Sequence, residues 1–248
     1  MSDQLSNTII LKNSPNKNVY NENLQNLNPF IMSEINYSNM EEFEFKIILL
    51  GDVAVGKTSL INKFVFNKFQ NSYNATMGIE FKSKELYIDS TCYAKLKIWD
   101  TCGQERFRAI TRQYFKNTNG VLLVFDLSNR QTLHKLNSWL EDIRNNLDEN
   151  SVIFLVGNKC DLTERDVGIA EQGKMFAKKN DLVYHEVSAK NGTGIVNLFE
   201  QISKKLVKNI KDKRNKKKSN KDLDNAFKID NYGRSNRGKV EKTKRGCC

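Results

Sequence analysis

From Phe43 onward, short apolar runs alternate with longer stretches of helical spacing, whereas residues 1 to about 40 show neither pattern. Phe45 to Leu50 (FKIILL) is an apolar run that stops at Gly51, and residues 57–66 then take helical spacing. Ile79 to Ile88 and Tyr93 to Trp99 have the alternating character of half-buried strands, with a hairpin turn expected near Asp89-Ser90. Val121 to Phe125 (VLLVF) and Val152 to Val156 (VIFLV) are continuous apolar runs, as in strands covered on both faces. Helices are expected at about 132–147, 168–180 and 195–208, with a further strand around Val183–Val187. Strands alternating with helices of this length predict an α/β fold, a mostly parallel six-stranded sheet with helices on both faces. Ligands bind beyond the carboxyl ends of the strands in such sheets. The chemistry is therefore expected in the loops that follow the apolar runs.

Composition alters this picture mainly at the two ends of the chain. Residues 1–43 form a polar extension, with ten Asn among the first 40 positions and the two prolines, Pro15 and Pro29. Such a segment cannot bury enough apolar surface to order itself and is expected to be disordered. Met40 stands directly before the first strand pattern, which leaves open whether residues 1–39 belong to the mature protein. The folded domain is expected over 44–208. Of the formal net charge of +11, nearly all lies in residues 208–248, where 15 Lys and Arg face 5 Asp and Glu. A basic tail on a near-neutral domain reads as an electrostatic tether. A nucleic-acid-binding NTPase would need a basic patch within the domain, which the sequence lacks, so no nucleic-acid partner is expected. Cys92, Cys102 and Cys160 have no zinc or redox spacing and read as free thiols of a reducing compartment. The chain shows neither a long apolar span nor a signal-peptide core, so a protein that starts out soluble and cytosolic is expected.

Gly51-Asp52-Val53-Ala54-Val55-Gly56-Lys57-Thr58 fits G-x-x-x-x-G-K-[ST], after a predicted strand and at the start of a predicted helix, the context this phosphate-binding loop requires. Backbone N–H groups of the loop and the helix N-terminus make a concave positive site for phosphate oxygens. Lys57 should reach the β- and γ-phosphates and the Thr58 hydroxyl should ligate Mg²⁺, with Ser59 following at the same site. The fold expected is thus that of a P-loop NTPase. Alone, the motif specifies only a nucleoside triphosphate.

Two later loops narrow the base to guanine. Asn158-Lys159-Cys160-Asp161, after the VIFLV run, reads N-K-x-D. The Asp161 carboxylate can accept from both N1 and N2 of guanine, whereas adenine presents an acceptor at N1 and is repelled. Ser188-Ala189-Lys190 follows the next strand, and the Ala189 N–H can donate to the guanine O6. Either tripeptide-scale signal could be accidental alone; together, behind a phosphate loop and in this order, they specify GTP and GDP.

The loop after the third strand, Trp99-Asp100-Thr101-Cys102-Gly103-Gln104-Glu105, carries groups that sense the γ-phosphate. Asp100 is placed to hold Mg²⁺ through water, the Gly103 N–H to contact the γ-phosphate, and Gln104 to orient the attacking water as the catalytic residue. Thr76 supplies a second hydroxyl to the metal. Two loops held by one phosphate make a switch, because hydrolysis removes the contact that orders them.

Residues 44 to about 208 resemble a complete G domain of the Ras-like superfamily. MGIEF at 77–81, KLKIWDTCGQERF at 95–107, RFRAIT at 106–111 and LVFDLS at 123–128 resemble its Rab branch. The resemblance implies a monomeric, GTP-hydrolysing switch that recruits effectors in vesicle traffic. It also implies an exchange factor, a Rab-type GAP, a GDP-dissociation inhibitor and an escort protein as partners. It suggests Phe69 against the guanine, Tyr73 over the phosphates, and Phe81, Trp99 and Tyr114 as an exposed aromatic triad for effectors. Read from the residues alone the triad could equally be core, and for Trp99 the two readings balance. Cys102 stands where the family usually has Ala. Val53 stands where Rabs usually have Ser and Ras has Gly, and a β-branched side chain there crowds the space a GAP residue must enter. A module of the same fold that holds GTP with very slow hydrolysis is therefore the alternative function.

Basic runs KDKRNKKK at 211–218 and KTKRG lead to Cys247-Cys248 in a tail, 209–248, expected to be flexible. The pair is similar to the C-C terminus of Rabs, which implies two geranylgeranyl groups. Two lipid chains suffice for stable anchoring where one is marginal, and basic residues add attraction to an anionic leaflet. The expected location is the cytoplasmic face of intracellular membranes, endomembrane, Golgi or endosomal, with a cytosolic pool bound to the inhibitor. His134 and His185 lack ligand-spaced partners and read as structural or surface residues.

Overall fold

A computed structural model describes residues 39–71, 76, 80–101, 115–148, 150–162 and 167–235, with side chains described as far as 217. The chain divides into two units, one ending at Leu206 and the other beginning at Val207.

The first unit is built on strands β1 (Glu41–Leu50), β2 (Glu80–Tyr87), β3 (Cys92–Asp100), β4 (Gly120–Asp126), β5 (Val152–Asn158) and β6 (Val183–Glu186). They form one sheet in the order β2-β3-β1-β4-β5-β6. Only β2 runs antiparallel, against β3; the other pairings are parallel. The helices are α1 (Lys57–Phe66), α2 (Arg130–His134), α3 (Leu136–Asn146), α4 (Val167–Asn180) and α5 (Ile195–Ser235).

Burial follows the sequence pattern. β4 is buried at every position and β1 at its last four, Ile47 to Leu50, as the continuous apolar runs require. β3 alternates strictly, with Cys92, Ala94, Leu96, Ile98 and Asp100 inward. The β2–β3 hairpin turns where Asp89 Oδ1 accepts from the backbone N–H of Thr91 (2.7 Å) and of Cys92 (3.0 Å). On one face of the sheet Leu123, Phe125 and Leu155 pack with Leu133 of α2, Trp139 and Ile143 of α3, and Ile169 of α4. On the other, Phe64 of α1 stacks on Phe199 of α5 with centroids 3.8 Å apart.

Three elements differ in extent from the sequence pattern. β1 begins at Glu41 because Glu41 to Lys46 pair along the first half of β3. The helical segment at 132–147 is two helices that meet at Lys135, the shorter one capped by the Asn129 side chain accepting from Gln131 N–H. The last helix continues past 208 to Ser235. Among the described residues no helix is long and apolar enough to cross a membrane.

Candidate nucleotide site

Leu50, Asp100, Asp126 and Asn158 each close a parallel strand, so the loops that follow them emerge at one edge of the sheet. The turn after β1 is possible because of its first glycine. Gly51 has φ +141°, and a Cβ there would lie 2.1 Å from the Val124 carbonyl oxygen. Ala54 is held at φ 60°, a left-handed conformation that costs a non-glycine about 1–3 kcal/mol. Gly56, at φ 95°, precedes α1 without a side-chain cap, and the first turn carries no acid. The helix therefore presents its first N–H groups to the loop's concavity, where an anion is stabilised. Lys57 is buried and its ammonium donates to the carbonyls of Gly51 (2.9 Å) and Asp52 (2.8 Å), spanning the loop. Val53 is half-buried and Ala54 exposed, while Val55 is buried and its carbonyl accepts from Asn158 Nδ2 at 2.8 Å.

Thr58, Thr76 and Asp100, expected as metal ligands from three separate stretches, converge. The Thr58 and Thr76 hydroxyl oxygens lie 2.8 Å apart, and the Thr58 hydroxyl donates to Asp100 Oδ2 at 2.6 Å. Asp100 Oδ1 is buried with no hydrogen-bond partner among the described residues. Burial holds the Asp100 carboxyl above the ordinary carboxylate range, against the opposing pull of the Thr58 hydrogen bond and the Lys57 charge. A buried carboxylate oxygen left open beside two hydroxyls is a donor set that fits a hard divalent cation, one that keeps water and phosphate oxygens for its other positions.

The base loops are tied to the phosphate loop through Asn158. Its amide donates to Val55 O, and its Oδ1 accepts from the Ala189 N–H at 3.1 Å. Ser188 Oγ donates to Asp161 Oδ1 at 2.6 Å and accepts from the backbone N–H of Lys190 and of Asn191, both at 3.2 Å. The Asp161 carboxylate is thereby fixed at one oxygen while remaining only partly buried. Lys159, at φ 68°, pairs its ammonium with Asp126 Oδ2 at 2.6 Å. Asp126 escaped the sequence reading, although its place directly after the VLLVF run marks it as a loop residue at the site edge. Ser59 lies in α1, one residue beyond Thr58.

Phe69, after α1, is exposed. Phe81 is 55% exposed and stacks on its register partner Trp99, centroids 5.2 Å apart. Trp99 itself is half-buried against the core, with Lys46 Nζ 4.9 Å from its ring centroid. It thus takes part in both the core and the aromatic surface. Tyr73, Gly103, Gln104, Tyr114, Cys247 and Cys248 lie outside the described residues, as does the extension before residue 39. His134 is exposed, and His185 stacks on Phe154 with its pKa lowered by burial.

A phosphate loop, a hydroxyl–carboxylate cluster beside it and an N-K-x-D loop bound to it, all at the carboxyl edge of this sheet, define a guanine-nucleotide-binding P-loop domain. Comparison with known proteins agrees. The family model for the Ras family matches residues 46–208. Over 180 residues the chain is 41% identical to the Ras-related protein Rab-4A of Bos taurus, covering 72% of this chain and 82% of that protein. It is 40% identical to the Ras-related protein RABA4d of Arabidopsis thaliana over 177 residues, 71% of this chain and 79% of that one. Identity to the Ras-related protein Rab11A of Lotus japonicus is 43% over 162 residues, 65% and 71% of the two chains. The chain belongs to the Ras family and is a Rab-type small GTPase.

Proposed function

We propose that this GTPase is a membrane-anchored switch of vesicle traffic, recruiting effectors when GTP is bound and releasing them after hydrolysis. The observation that carries the switch is the meeting of Thr58, Thr76 and Asp100 within hydrogen-bond distance. Mg²⁺ bound there with the nucleotide supplies charge neutralisation at the phosphates. The chain's own groups do the rest. Loop N–H groups and Lys57 hold the phosphates, and Thr58, Thr76 and Asp100 hold the metal. Asp161 and the Ala189 N–H read guanine, and Gln104 orients the attacking water. The segments of Thr76 and Gly103 share one phosphate as their anchor, so its loss releases both. Phe81 and Trp99, which stack on one another, are the surface that effectors read, a role that the family resemblance extends to Tyr114. Exchange factor, GAP, GDP-dissociation inhibitor and escort protein act on this cycle.

Anchoring is assigned to geranylgeranyl groups on Cys247 and Cys248 with the basic tail behind them, at the cytoplasmic face of an endomembrane, in exchange with an inhibitor-bound cytosolic pool. Fractionation of cells expressing the full chain tests it. Cys247→Ser/Cys248→Ser should move the protein from membranes to cytosol with nucleotide binding intact. A doubly substituted protein that still sediments with membranes contradicts the anchor.

A further inference from the structure

Asp52, the second residue of the phosphate loop, is a carboxylate in a loop whose task is to hold a polyanion. Three contacts radiate from it. Its Oδ1 accepts from the Val53 N–H at 2.9 Å, its carbonyl accepts from Lys57 Nζ at 2.8 Å, and its Oδ2 pairs with Lys135 Nζ at 2.7 Å. The first two lie within the loop and its helix. The third reaches across to the junction of α2 and α3, where a continuous helical pattern breaks at Lys135. That junction is a firm mount. The Lys135 N–H bonds to Gln131 O (3.3 Å), and its carbonyl accepts from Trp139 N–H (3.3 Å) and Ser138 Oγ (3.0 Å). Trp139 is itself buried in the core. The Asp52 side chain is 12% exposed and that of Lys135 49% exposed, so the carboxylate sits in the loop while its partner reaches in from the surface.

We infer that Lys135 is a positioning residue for the phosphate loop, acting through Asp52. Its ammonium compensates the one carboxylate of the loop, which otherwise opposes bound phosphate. It also fixes the Asp52 peptide whose carbonyl receives Lys57. The role rests on the guanine-nucleotide reading of the site, and its consequence is slower nucleotide release.

Release of a fluorescent GDP analogue from the full chain, measured in Mg²⁺ at low salt and at 1 M salt, tests it. At low salt Lys135→Ala should release the probe about two- to five-fold faster than wild type, the range for a pair with one exposed partner. Lys135→Arg, which restores the charge, should return the wild-type rate. At 1 M salt, where the screening length is ~3 Å, the difference between Ala and wild type should shrink. Equal low-salt rates for Ala and wild type overturn the inference. So does an Ala effect that Arg, which keeps the charge, does not rescue, and so does one that salt leaves unchanged, since that belongs to packing of the aliphatic stem. A wild-type chain that fails to bind the probe at all would instead overturn the nucleotide reading itself.

Discussion

Val53 is a residue expected to bear on rate and to leave binding alone. Its N–H is taken by Asp52 and its side chain is half-buried, so the backbone cradle does not depend on which side chain stands there. Two methyl groups at the mouth of the loop would, on this expectation, crowd only the space that a GAP residue and the attacking water need in the transition state. Val53→Ser should leave GTP affinity unchanged and raise the GAP-stimulated single-turnover rate at least about tenfold, ~1.4 kcal/mol in the barrier. Equal stimulated rates would show that the valine is accommodated. At this scale the sequence was legible wherever a residue's own chemistry defines its role. Lys57, Thr58, Asp100 and Asp161 are named by what phosphate, metal and guanine demand. The pairs Asp52–Lys135 and Asp126–Lys159 were not legible, because each joins charges whose meeting depends on the path of two loops.

Elements were legible where periodicity was strong. The all-buried β4 and the strictly alternating β3 match their patterns position by position. Their ends were harder. Helical spacing runs unbroken through Lys135, yet two helices meet there, because Asn129 caps the first and begins it earlier. A helix end at 208 follows the loss of apolar spacing, whereas α5 continues to Ser235, entering a run at 211–218 whose lysines and arginine favour a helix. The strand-to-loop passage at Gly51 is the element boundary with least tolerance. A methyl group there would meet the Val124 carbonyl at 2.1 Å, from a backbone at φ +141°. Gly51→Ala should cost about 2–4 kcal/mol of stability, strain and overpacking together, read as a lowered denaturant midpoint. A midpoint within error of wild type would show that β1 and β4 separate easily.

For the whole molecule, charge and function are divided along the chain. Residues 1–207 are nearly neutral and carry every residue expected at the nucleotide site, whereas the tail holds the basic excess and the paired cysteines. The domain is expected to read guanine, with Asp161 fixed by Ser188 and Ala189 tied to Asn158. Displacement of a fluorescent GDP analogue from the full chain in Mg²⁺ tests this most directly. GDP and GTP should compete with similar strength. ATP should be at least about a thousandfold weaker, since sites built on hydrogen bonds reject unmatched analogues by ~10⁴–10⁵. Asp161→Asn should shift preference towards xanthine nucleotides, because an amide cannot accept from both N1 and N2. ATP displacing the probe at concentrations similar to GTP would show that the site does not select guanine.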